Sequence, residues 1–118
     1  MNGAVEIKSK KFAIRIINMY KYLISEKKEY VMSRQILKCG TSIGANIKEG
    51  EFAQSTLDFI SKMSIALKEA GETEYWLELL SETDYIAVEQ YDSLKSDCKE
   101  LIKLLTSIIK STKINNNI

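Results

Sequence analysis

The run GTSIGANIKEG, residues 40–50, holds three of the chain's five glycines together with Thr41, Ser42, Asn46 and Glu49. Glycines beside hydroxyls and an amide are what a phosphate-cradling loop is made of. The spacing denies that chemistry. A Walker loop needs Lys and then Ser or Thr directly after its last glycine, and a dinucleotide fold needs G-x-G-x-x-G behind a strand. Histidine is absent from the sequence, so no Ser-His-Asp or Cys-His centre and no Glu-x-x-His di-iron site can be built within this chain. The cysteines, Cys39 and Cys98, stand apart without C-x-x-C spacing and are expected as free buried thiols in a reducing compartment. The carboxylates of Glu49 and Glu74 could in principle work as a glycosidase pair, but nothing fixes a pocket around them. The residues thus specify no enzyme, no cofactor and no metal site.

What positions these residues is helix. Proline is absent, 45% of residues are apolar and 28% charged, the composition of one soluble domain whose helices nothing interrupts. In helix 1, residues 5–26, Ala13, Ile16, Ile17, Tyr20, Leu23 and Ile24 recur at spacings of three and four, opposite Lys8, Lys11, Arg15, Asn18 and Tyr22. EKKEY then breaks the pattern. Ser33 is the expected N-cap of helix 2, residues 34–50, with Met32 and Leu37 placed for a hydrophobic staple. Ser55 and Asp58 repeat the capping signature before helix 3, residues 56–83. Tyr91, Leu94, Cys98, Leu101, Leu105 and Ile108 give helix 4, residues 88–110, a strict a/d pattern, with the tail 111–118 expected to fray. Four amphipathic helices with short connections predict an all-α, up-down-up-down antiparallel four-helix bundle spanning residues 1–118. No uninterrupted apolar run reaches a membrane span and the N-terminus does not read as a secretory signal, so a cytoplasmic protein off the membrane is expected.

On that frame the glycine run reads as close helix packing. Ile36, Gly40, Ile43 and Ile47 share a face with Gly44 on its flank, and each interior glycine costs about 1 kcal/mol of helix propensity against alanine, so Gly40 and Gly44 should sit where a neighbour approaches. Ser42, Asn46 and Glu49 form a second line beside that face, and Glu74 falls in the apolar arc of helix 3. They are expected to join in a polar network between helices.

Charge is uneven. Residues 1–50 hold ten Lys or Arg against four Glu, whereas residues 51–100 hold four Lys against twelve acids. Arg34, Lys38 and Lys48 line up opposite the apolar face of helix 2, and with Lys8, Lys11 and Arg15 of helix 1 they would form a basic strip able to hold the backbone of RNA or DNA without reading bases. A solvated charged face is the plainer account of either stripe alone. In YWLELL, apolar side chains point nearly all round the helix, so Tyr75, Trp76, Leu79 and Leu80 supply both core and a subunit interface. A protein-interaction or scaffold role without nucleic acid therefore stands as the second functional reading.

The segments GTSIGANIKEG and STLDFISKMSIALKEAGETEYWLELL resemble the small four-helix bundle proteins encoded by intervening sequences within bacterial large-subunit (23S) ribosomal RNA genes. The resemblance covers nearly the whole chain and is most specific in the run Ser42 to Gly50 joined to Glu72-Thr73-Glu74. Lys48, often alanine in the family, and Cys39, often small there, depart from the pattern. The resemblance implies an antiparallel bundle that assembles as a ring of five subunits and has no established enzymatic activity. It also implies kinship with the accessory protein of diversity-generating retroelements, a similar pentameric bundle whose basic surface engages RNA and a reverse transcriptase.

Overall fold

A computed structural model describes residues 3–118. They form four helices: α1 (Gly3–Ser25), α2 (Met32–Gly50), α3 (Thr56–Glu82) and α4 (Val88–Asn115), and the fold is the all-α four-helix bundle that the periodicity predicts. Consecutive helices pack along their lengths, α1 and α4 close the bundle with a thinner seam, and α1 and α3 stand on the diagonal, facing each other across the shared core. The bundle measures 49 × 21 × 20 Å.

The core residues of α1 are Val5, Phe12, Ile16, Met19 and Leu23. This stripe is rotated from the expected one: Phe12 and Met19 are buried, whereas Ile17 is exposed. The reason is that α1 is apolar on two sides, and periodicity alone cannot say which side the other helices cover. The opposite pole of the core is small, since α3 presents Ala66, Ala70 and Thr73, which lets α2 and α4 draw close to it.

Helix ends follow from local chemistry. The α1–α2 connection turns through Lys28 in the left-handed region, φ 54°, where the Glu29 N–H donates to Leu23 O at 3.0 Å. That turn places the Glu29 carboxylate over the start of α2. Its Oε1 accepts from the Ser33 N–H at 2.7 Å, and its Oε2 accepts from those of Val31 and Met32 at 3.1 and 3.2 Å. Ser33 is therefore not the N-cap. Its hydroxyl donates to Glu29 O at 2.7 Å, because a carboxylate can serve several amides at once, and does so at the positive end of the helix. At α3 the Ser55 Oγ accepts from the Asp58 N–H at 3.0 Å, and the Asp58 Oδ2 in turn accepts from the Gln54 N–H at 3.1 Å. Helix α4 runs five residues beyond the expected end at 110. Ile108 and Ile109 pack against the core, and Thr112 and Asn116 bond back to carbonyls one turn earlier, so residues 111–115 are helical rather than frayed.

Mid-core, Thr73 Oγ1 donates to Glu69 O at 2.8 Å and lies 3.2 Å from the Cys39 sulfur, while the Cys98 thiol donates to Ala70 O at 3.3 Å. Both cysteines are free and buried. Desolvation, helped by nearby Glu72 and Glu74, pushes the Cys39 thiol up to about 11 and the Cys98 thiol to about 12, from an ordinary 9.0. Above pH 9 the unfolded chain releases these protons first, so their contribution to stability is full below pH 9 and drains away as pH rises toward 11–12. Thermal melts followed by circular dichroism should show a steeper loss of Tm between pH 9 and 11 in the native chain than in Cys39→Ala/Cys98→Ala. Equal slopes would mean that the thiols are not held protonated by burial.

Candidate functional site

Helices α1 and α2 approach closely. A Cβ placed on Gly40 would come 2.9 Å from both Cγ atoms of Ile16, and one on Gly44 would meet Ser9 Oγ at 3.4 Å. Ile16 fills the space at Gly40, while Gly44 lies in a shallow trench of about 510 Å³ between the two helices, lined among others by Ile7, Lys10, Ala13, Thr41, Ala45 and Lys48. Beside it, the outward side of α1 carries Ile7, Ile14 and Ile17, exposed to 58, 49 and 36%. Sequence reasoning missed this second apolar stripe. Its signal was the seven-residue step from Ile7 to Ile14 and the three-residue step to Ile17.

The expected basic strip is divided by the fold. Lys8 and Arg15 face the α1–α4 seam, where they pair with Glu100 at 2.9 Å and Asp97 at 2.7 Å. Lys11 is exposed on the same flank without an ion pair among the described residues. On the other flank Lys48 pairs with Glu51 at 3.1 Å, whereas Arg34 and Lys38 are exposed and make no ion pair among the described residues. The two stripes thus lie on either side of the α1 apolar face and do not merge. A further row starts at the end of the acidic stretch: Lys95, Lys99 and Lys103 follow each other at i, i+4 on α4, with Lys110 and Lys113 beyond. Lys99 is held by Glu74 at 2.8 Å and Lys95 lies over the Tyr91 ring at 5.5 Å.

The four polar residues expected to form one network are separated. Ser42 Oγ donates to Lys38 O at 2.6 Å and Asn46 Nδ2 to Ser42 O at 2.9 Å, both within α2, because the carbonyl four residues back lies within reach of short polar side chains. Glu49 faces solvent and pairs with Lys62 of α3 at 3.3 Å, an exposed contact worth at most about 1 kcal/mol. Glu74 lies on the other flank of α3, its buried Oε2 approached only by the Lys99 ammonium.

On α3, Leu80 is fully buried in the core and cannot serve a subunit interface, while Trp76 and Leu79 are half-buried and Tyr75 is 56% exposed. The Tyr75 and Trp76 rings meet edge to face at 5.6 Å, and Trp76 Nε1 donates to Glu72 Oε2 at 3.3 Å. Gly71 lies one turn before Tyr75, and a Cβ there would touch nothing within 4 Å. No group of His, Cys, Asp or Glu among the described residues could hold a metal ion, and no described helix is long and apolar enough to cross a membrane.

The model of the 23S rRNA-intervening sequence protein family matches residues 2–107. A crystal structure of a protein of unknown function from the S23 ribosomal protein family of Bacteroides thetaiotaomicron is 64% identical, with a TM-score of 0.89 over 90% of this chain and 98% of that one. No curated protein matches the chain. Four helices in the expected order, the glycine-spaced α1–α2 contact and a family match over nearly the full length lead to one assignment: the chain belongs to the 23S rRNA-intervening sequence protein family.

Proposed function

We propose that this protein is a non-catalytic, self-assembling helical module that works by presenting surfaces to other macromolecules. The observation that carries this reading is the outward stripe Ile7, Ile14 and Ile17 beside the α1–α2 trench, apolar area that the bundle's own fold leaves uncovered. Its cationic rim gives it the composition of a protein interface, with an apolar centre and a charged border. Five subunits is the count that the family resemblance implies.

Native mass spectrometry at micromolar concentration should find a multimer, and Ile7→Glu/Ile14→Glu should give a monomer with an unchanged helical spectrum. A monomeric native chain defeats the reading.

A second reading, binding of RNA or duplex DNA through phosphate contacts, is favoured by the absence of ion pairs at Arg34 and Lys38 among the described residues. Fluorescence anisotropy should then show affinity falling linearly with salt on log axes, and Arg34→Glu/Lys38→Glu/Lys48→Glu should lose binding. No binding at about 50 mM salt removes this reading.

A further inference from the structure

Three features point to the partner of the α1–α2 face. The first is level along the bundle. Ile16 abuts Gly40 and Ser9 abuts Gly44, while Thr73 touches Cys39. Counting along the antiparallel helices from these contacts puts Lys21 of α1, Arg34 and Lys38 of α2, and Glu72, Glu78 and Glu82 of α3 in the same half of the molecule. All six are exposed.

The second feature is sign. The α1–α2 face carries cations beside Ile14 and Ile17, and the outward side of α3 carries these carboxylates around Tyr75 and half-buried Leu79, with Lys68 among them and Lys99 of α4 drawn to Glu74 on the α4 flank. Each face would repel its own copy and attract the other.

The third feature is Gly71. It is exposed in the middle of a 27-residue helix, and nothing in its own chain uses the space it leaves, unlike the space at Gly40. A helix-interior glycine costs about 1 kcal/mol against alanine, so the space at Gly71 is available to a close neighbour from outside.

We infer that the partner of the α1–α2 face is the α3 face of a second copy of this chain, the contact being head-to-tail with Lys21, Arg34 and Lys38 set against Glu72, Glu78 and Glu82. The inference rests on the self-assembly reading above. The cationic face spans α1 and α2 and the acidic one lies on α3, next to α2, so the two are inclined rather than back to back. Successive copies related by rotation about an axis parallel to the helices keep their level, bring opposite charges together and turn, as a closed ring requires.

The test is charge exchange in the full-length chain. Variant one carries Glu72→Lys, Glu78→Lys and Glu82→Lys; variant two carries Lys21→Glu, Arg34→Glu and Lys38→Glu. Each alone should assemble at least about 100-fold more weakly than the native chain. Mixed in equal amounts, they should assemble again into species in which the two masses alternate, and alternation forbids a closed ring of five. Circular dichroism checks that both are folded. If a variant is not, the neutral set Glu72→Gln, Glu78→Gln and Glu82→Gln should weaken assembly and flatten its salt dependence. Undiminished assembly of either charge variant at low salt, or a mixture that stays apart while both components are folded, overturns the inference while leaving self-assembly standing. A monomeric native chain overturns both.

Discussion

Ile16→Ala should cost about 2–5 kcal/mol, and Gly40→Leu about 1–3 kcal/mol or more, in urea unfolding followed by circular dichroism. The two side chains share one space: Ile16 fills the notch that Gly40 leaves, and a Cβ at Gly40 would already lie 2.9 Å from Ile16 Cγ1 and Cγ2. Removing the isoleucine opens a cavity at a fully buried position, whereas adding leucine opposite it drives α1 and α2 apart. The double variant should therefore lose at least about 1 kcal/mol less than the two single losses added together, since leucine can occupy the volume that isoleucine vacated. Simple additivity would show that the helices do not meet closely at this point. Gly44→Leu should be milder, because the Ser9 Oγ at 3.4 Å stands at the edge of the trench and leaves room to turn outward.

Glu29→Ala should lower stability by about 2 kcal/mol at neutral pH. One buried carboxylate accepts from three backbone amides at the start of α2, and truncation leaves all three without that partner. It also removes a negative charge from the positive end of the helix dipole. Glu29→Gln should fall between, since its remaining oxygen can accept but carries no charge. An Ala variant as stable as the native chain would mean that water replaces the carboxylate at no cost.

Fold class was legible because the pattern was redundant. The a/d run from Leu94 to Leu105 and the Ser55–Asp58 cap are local signals with few rival readings. Where two readings were equally local, the sequence could not choose between them. Apolar residues on both sides of α1 left it open whether Ile17 or Met19 faced inward, and only the neighbouring helices decide that. Glu29 escaped notice as a cap because its role depends on the left-handed turn at Lys28, a conformation rarely signalled by lysine. The charge distribution was legible as composition but not as placement. The basic first half of the sequence is real, yet α4 neutralises Lys8 and Arg15, a pairing of residues 92 and 82 positions apart that no window along the chain can reveal.

The thin α1–α4 seam has a kinetic meaning. Every other helix contact in the bundle joins elements adjacent in sequence, so α1 with α2, α2 with α3 and α3 with α4 can each form by closing a short connection. Such local pairing gives low contact order and folding in microseconds to milliseconds. Only the α1–α4 closure must bring together segments on either side of two intervening helices, with the Lys8–Glu100 and Arg15–Asp97 ion pairs at its rim. Loop-closure entropy makes this the contact expected to form last, once the three sequence-adjacent pairs are in place.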